Sequence, residues 1–170
     1  MNNIFATAIG VIGGYGISIV PPYHDRTKGK ASVFVLSCID PRFTNDLAWY
    51  LTHNAELHAD YDLFTLAGAS LGALQVGWKE TFYKHLDLAM KLHGIQEVWV
   101  FDHLDCGMYK ATLGLEEDDK VHPHLDTLDT LKGALAIDYP DLKFRGYIFD
   151  RHGKIMLVNC ECSGCKLKDV

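Results

Sequence analysis

Short apolar runs alternate with segments of helical period along this chain, and that alternation leaves few folds open. Ser32-Val33-Phe34-Val35-Leu36 is continuous, β-branched and aromatic, the pattern of a strand buried on both faces of a parallel sheet. Residues 97–101 read as another buried strand, and residues 61–66 and 143–149 as two further strands. Residues 155–158 follow the turn Arg151-His152-Gly153-Lys154 as the second arm of a hairpin. Between the strands, Thr44 or Asn45 can cap a helix whose apolar face holds Leu47, Tyr50, Leu51 and Ala55. Trp78, Phe82, Leu86, Ala89, Met90 and Leu92 share a face of a second helix, which Gly94 ends. Leu125, Leu128, Leu131 and Leu135 mark a third, which stops before Pro140. Ala67-Gly68-Ala69-Ser70 reads as the turn that stops the second strand. Strands alternating with helices predict an α/β fold: a parallel β-sheet of about four strands flanked by helices, plus one C-terminal antiparallel strand. That domain spans residues 31–159.

A length of 170 residues supports one core of this kind, and 48% hydrophobic against 22% charged residues excludes disorder for most of the chain. The net charge is −6 with no basic block, which argues against nucleic acid as a partner. Residues 1–30 form an apolar arm and linker, and residues 4–20 carry no charge. This run is slightly short of the roughly 20 residues a spanning helix needs, and no basic residue starts it as a secretory signal would require. Gly10, Gly13, Gly14 and Gly16 would suit close helix packing, so an arm packed on protein is favoured over membrane contact. Pro21-Pro22 closes the arm. Five cysteines are an odd number, and three crowd residues 160–170, a Cys-rich tail. Such a set is a poor disulfide framework and points to metal or thiol chemistry, in the cytoplasm or another reducing compartment.

Two segments lie just past the C-terminal ends of strands, where ligand sites in open α/β sheets gather: Cys38-Ile39-Asp40-Pro41-Arg42 and His103-Leu104-Asp105-Cys106-Gly107. Cys38, His103 and Cys106 offer two thiolates and an imidazole, a Zn2+ set that leaves a fourth tetrahedral position open. Asp40 and Arg42 can pair and fix a carboxylate beside the metal.

Cys-x-Asp-x-Arg followed by His-x-x-Cys-Gly resembles the β-class carbonic anhydrases, and the similarity covers most of residues 32–158. It includes the Ala67-Gly68 turn and the late hairpin with Gly146-Tyr147, Asp150 and Gly153-Lys154. The resemblance implies that Cys38, His103 and Cys106 bind zinc and that Asp40 and Arg42 are the catalytic dyad. It implies Gly68 and Gly107 at the substrate position, and a closed form in which Asp40 swings onto the metal. The implied activity is reversible hydration of CO2 to bicarbonate, in a homodimer or higher homo-oligomer with sites near the subunit interface. Zinc would lower the pKa of a coordinated water towards roughly 7, Asp40 would orient it, and Arg42 would hold Asp40 ionised.

The chain departs from the family in three places. Asp102 stands before the ligand His where the family usually has Gly; a carboxylate there would raise the pKa of the bound water or relay protons, or else face solvent. Thr65-Leu66 replaces the usual Arg-Asn. No Gln precedes Cys38 to orient CO2; Gln75 and Gln96 both follow it. The same zinc site could therefore hydrolyse carbonyl sulfide or carbon disulfide, or serve a non-catalytic zinc- or bicarbonate-binding subunit of a larger assembly. Cys160, Cys162 and Cys165 are a separate set that could bind a second metal, form a labile disulfide, or lie in a mobile tail. His122-Pro123-His124 reads as the start of a helix.

Overall fold

The computed structural model describes residues 10–12, 15–17, 29–115, 120–161 and 164–170. Six strands form one sheet in the order β4-β3-β5-β6-β7-β8. These are β3 (Val33–Ser37), β4 (Tyr61–Thr65), β5 (Glu97–His103), β6 (Lys143–Phe149), β7 (Ile155–Glu161) and β8 (Gly164–Asp169). The first four are parallel, and β7 and β8 run antiparallel. The helices are α1 (Thr44–Trp49), α2 (Ala69–Leu74), α3 (Lys79–His93), α4 (Gly107–Leu113) and α5 (His122–Asp138).

The central strands β3 and β5 are largely apolar because both faces of the sheet are covered there. Phe34, Leu36, Val98 and Val100 point into a core closed by Leu86 of α3 and by Leu128, Leu131 and Leu135 of α5. Their neighbours Val33, Val35, Trp99 and Phe101 point the other way, against Phe43, Leu47 and Leu51. This is the two-residue period of a strand with a hydrophobic layer on each side. Each fully buried leucine contributes about 1.5–3 kcal/mol relative to exposure.

Several expectations need correction. Leu92 is 57% exposed: it lies beyond the face set by Phe82, Leu86 and Ala89, and Trp78 precedes α3 rather than belonging to it. Neither Thr44 nor Asn45 caps α1, whose first residue is Thr44; the cap is made earlier by Asp40, on the 3-10 turn Pro41–Phe43. Ala67 and Gly68 do turn the chain after β4, but Ala69 and Ser70 already belong to α2, with Gly68 as its left-handed cap. The sheet ends in two antiparallel strands, not one: β7 runs through residue 160, and β8 takes up the tail expected to be separate. In the N-terminal arm, β1 (Gly10–Ile12) and β2 (Tyr15–Ile17) pair antiparallel, so Gly10 and Gly16 lie in a β-ribbon and not on a helix, while Gly13 and Gly14 lie outside the described residues. Among the described residues, no helix is long and apolar enough to cross a membrane.

Candidate metal centre

The chain passes from β3 to β4 on one side, then crosses back over β3 to β5 on the other. The crevice at the carboxyl ends of β3 and β5 is thus a topological switch point, the place where such sheets bind ligands. Cys38 follows β3, His103 ends β5, and Cys106 immediately precedes α4. Their ligand atoms all lie within 4.8 Å of one another. The Cys38 and Cys106 sulfurs are 3.8 Å apart. Two thiolates on a tetrahedral zinc, each at roughly 2.3 Å, would stand about 3.8 Å from each other.

His103 completes the set. It is buried, its Nδ1 lies 3.0 Å from Asp105 Oδ1, and its buried Nε2 has no hydrogen-bond partner. A carboxylate on Nδ1 fixes the tautomer that leaves the Nε2 lone pair free for a cation. Phe43 packs against the imidazole at 4.7 Å between ring centres. The donor chemistry and spacing therefore fit zinc: an orphaned buried nitrogen faces two sulfurs at zinc-ligand separation.

Contact with the Cys106 sulfur holds the Cys38 thiol below its usual range. The same contact, with burial, pushes Cys106 well up. Gly68 adds a backbone N–H to the Cys38 sulfur at 3.4 Å. Its positive φ of 75° and the Met108 Cγ only 2.7 Å from where a Cβ would stand explain why glycine fits there.

Asp40-Pro41-Arg42 is locally self-locking. Proline biases the preceding residue to extended backbone and starts the 3-10 turn, and Asp40 Oδ1 caps that turn by accepting from the Arg42 backbone N–H at 3.0 Å. The guanidinium then grips the same carboxylate through Nε at 2.9 Å and Nη2 at 2.7 Å. Asp40 Oδ2 ends 3.8 Å from His103 Nε2. The Arg42 hydrogen bonds hold the Asp40 carboxyl below its usual range. Arg42 also reaches Asp105 Oδ2 through Nη1 at 2.5 Å. Burial opposes the charge on Asp105, yet Arg42 and His103 together bring its pKa down to about 2.

A cavity of about 300 Å³ opens beside Cys38 and His103, walled chiefly by Phe43, Leu47, Leu51, Leu63, Phe101 and Phe149. Among the described residues, no glutamine or asparagine lines it. Gly68 and Gly107 are not in its wall either: Gly68 lies against the Cys38 sulfur, and Gly107 starts α4.

Asp102 corrects the sequence expectation. It is 1% exposed and neither faces solvent nor joins the ligand set, because successive residues of β5 alternate faces. On the opposite side from His103, its carboxylate accepts from the Ser70 backbone N–H at 3.0 Å, the Ser70 hydroxyl at 2.6 Å and the Tyr109 hydroxyl at 2.8 Å. His124 Nδ1 lies 3.4 Å from it, and Thr127 bonds to both Ser70 and Tyr109. His122 does start α5, with Pro123 in its first turn, but His124 is fully buried and belongs to this network.

Asp105 went unassigned in the sequence; the available signal was a carboxylate two residues after a candidate ligand histidine. Of the C-terminal cysteines, Cys160 and Cys165 form a disulfide far from the Cys38 site in the topology, and Cys162 lies outside the described residues.

No family model matches the chain, and no solved structure matches it. Two curated relatives are similar to it, both described as uncharacterized proteins. That of Rickettsia bellii is 26% identical over 139 residues, 78% of this chain and 84% of the relative. That of Rickettsia conorii is 25% identical over 139 residues, 78% of this chain and 74% of the relative.

Proposed function

We propose that this chain is a zinc-dependent enzyme of the β-carbonic anhydrase type, hydrating CO2 reversibly to bicarbonate. The observation that carries the proposal is the pairing of two sites on one crevice: a Cys2His set with an orphaned nitrogen, and an arginine-locked carboxylate 3.8 Å from that nitrogen. A purely structural zinc site has no need of the second.

Cys38, His103 and Cys106 would hold the metal, which supplies Lewis acidity that makes water a nucleophile near neutral pH. The chain's own groups do the rest. Arg42 keeps Asp40 ionised and fixed through three donors. Asp40 accepts a hydrogen bond from the attacking water and so turns an oxygen lone pair toward the carbon of CO2. The apolar cavity beside Cys38 admits the uncharged gas and favours exit of the charged product. A C–O bond forms, one C=O pair moves onto oxygen, and one proton leaves to solvent.

A second reading keeps these residues and changes the electrophile to carbonyl sulfide or carbon disulfide. It is favoured by the absence of any amide side chain in the cavity wall to orient CO2.

Stopped-flow CO2 hydration near pH 8.5, on protein of verified zinc content, tests the proposal. Fast zinc-dependent turnover is expected. Asp40→Ala should lower it by about 10²-fold or more while zinc stays bound. Zinc-loaded protein that releases sulfide from carbonyl sulfide but leaves CO2 untouched would move the assignment to the second reading.

A further inference from the structure

A second cluster of ligand atoms lies at the far edge of the sheet. Cys160 of β7 and Cys165 of β8 occupy paired positions in the antiparallel register. They project onto the face that α5 covers, and the core there packs against both. Asp129 of α5 brings its carboxylate to them: its oxygen and the two sulfurs all lie within 4.8 Å of one another. The carboxylate is exposed, so the cluster is open to solvent on one side. One helical step further, Lys132 Nζ donates to the Cys160 carbonyl at 3.1 Å, placing a positive charge where thiolates would form. In the structure the two sulfurs are bonded as a disulfide.

We propose that this hairpin is a redox-gated metal site. When the Cys160–Cys165 bond is reduced, the two thiolates and the Asp129 carboxylate take a soft divalent cation such as Zn2+, with water in the fourth position. The S–S bond accepts two electrons and two protons from a dithiol, which leaves as its own disulfide. Cation binding then displaces the two thiol protons. The reverse reaction, exchange with an oxidised disulfide, re-forms the protein S–S bond and expels the cation.

Three features support the assignment. Two sulfurs and one carboxylate are a donor set that zinc accepts, and soft thiolates discriminate against Mg2+ and Ca2+. The ligands come from three elements, each held in place without a metal: α5 is anchored by buried Leu128, Leu131 and Leu135, β7 pairs with β6, and β8 pairs with β7. Tetrahedral zinc needs its sulfurs about 3.8 Å apart, and rotation about each Cα–Cβ bond after S–S cleavage supplies that opening. The cross-link therefore persists in both states, as a disulfide when oxidised and as a metal clip when reduced. Nothing in this argument depends on what Cys38, His103 and Cys106 bind.

The test uses the full chain carrying Cys162→Ser, so that residues 160 and 165 alone supply the hairpin thiols. It is reduced with a dithiol, freed of it under argon and titrated with Zn2+. One more equivalent should bind than to the same chain with Cys160→Ser and Cys165→Ser. Asp129→Ala, an exposed change that leaves the core untouched, should weaken that equivalent at least 10-fold. Oxidised glutathione should release it as the disulfide forms. Equal stoichiometry in the reduced chain and the double serine variant would overturn the proposal. So would an extra equivalent that Asp129→Ala binds with unchanged affinity.

Discussion

Arg42 grips two carboxylates at once, and each stands beside the candidate metal centre in a different place. Through Asp40 it fixes the carboxylate proposed to orient a nucleophile; through Asp105 it fixes the carboxylate on His103 Nδ1. The two carboxylates should therefore separate in experiment. Asp105→Ala removes the partner of Nδ1 and leaves every metal ligand in place, so zinc affinity should fall about 10–100-fold. A competition titration against a chromophoric chelator measures this, and an unchanged affinity would remove Asp105 from the centre. The clustering of Cys38, His103 and Cys106 and the Asp40–Arg42 pair were legible because both fall in two short motifs. Asp105 was not, because a single carboxylate in such a motif has no period or spacing that separates it from a solvated side chain.

At the level of elements, the network around Asp102 joins four of them: α2 through Ser70, β5 through Asp102, α4 through Tyr109, and α5 through His124 and Thr127. Burial pushes the Tyr109 phenol well up, so it remains a donor to this carboxylate. Because His103 follows Asp102 and Cys106 opens α4, the network holds both ligand-bearing segments in place from the opposite face of the sheet. Asp102→Ala strands several buried donors at once and should cost about 3 kcal/mol or more in urea denaturation. A loss below 1 kcal/mol would show that the network does not brace the site. Strands β3 and β5 were readable as short apolar runs and β6 as a strand over residues 143–149, and the leucine spacing located the buried face of α5. The short helices α2 and α4 were not readable: at six and seven residues, neither is long enough to display a helical period. Leu92 misled for the converse reason, since an apolar residue near a helix end can fit the period and still clear the core.

The whole molecule has two unlike sheet edges. β8 presents Lys166, Lys168 and Asp169, charges that discourage pairing with another chain. β4 presents Tyr61, Leu63 and Thr65, and Leu63 is 53% exposed at the rim of the cavity beside Cys38. An apolar edge next to the site is the surface on which self-association is expected. Leu63→Lys should shift the chain toward monomer in sedimentation velocity, and a parent that is already monomeric would rule this edge out. The tail differs from its expectation at this scale: Cys-x-Cys-x-x-Cys dominates its composition, while what makes it a strand is a local hairpin with β7, which extends past the expected end at residue 158 to Glu161.

The proposed carbonic anhydrase activity requires Cys38, His103 and Cys106 to act together as metal ligands. Zinc content of the purified chain, compared with Cys106→Ser prepared identically, tests this most directly. The account predicts that the variant stays folded by circular dichroism and carries one zinc fewer per chain. A folded variant that keeps the full zinc content of the parent would contradict it.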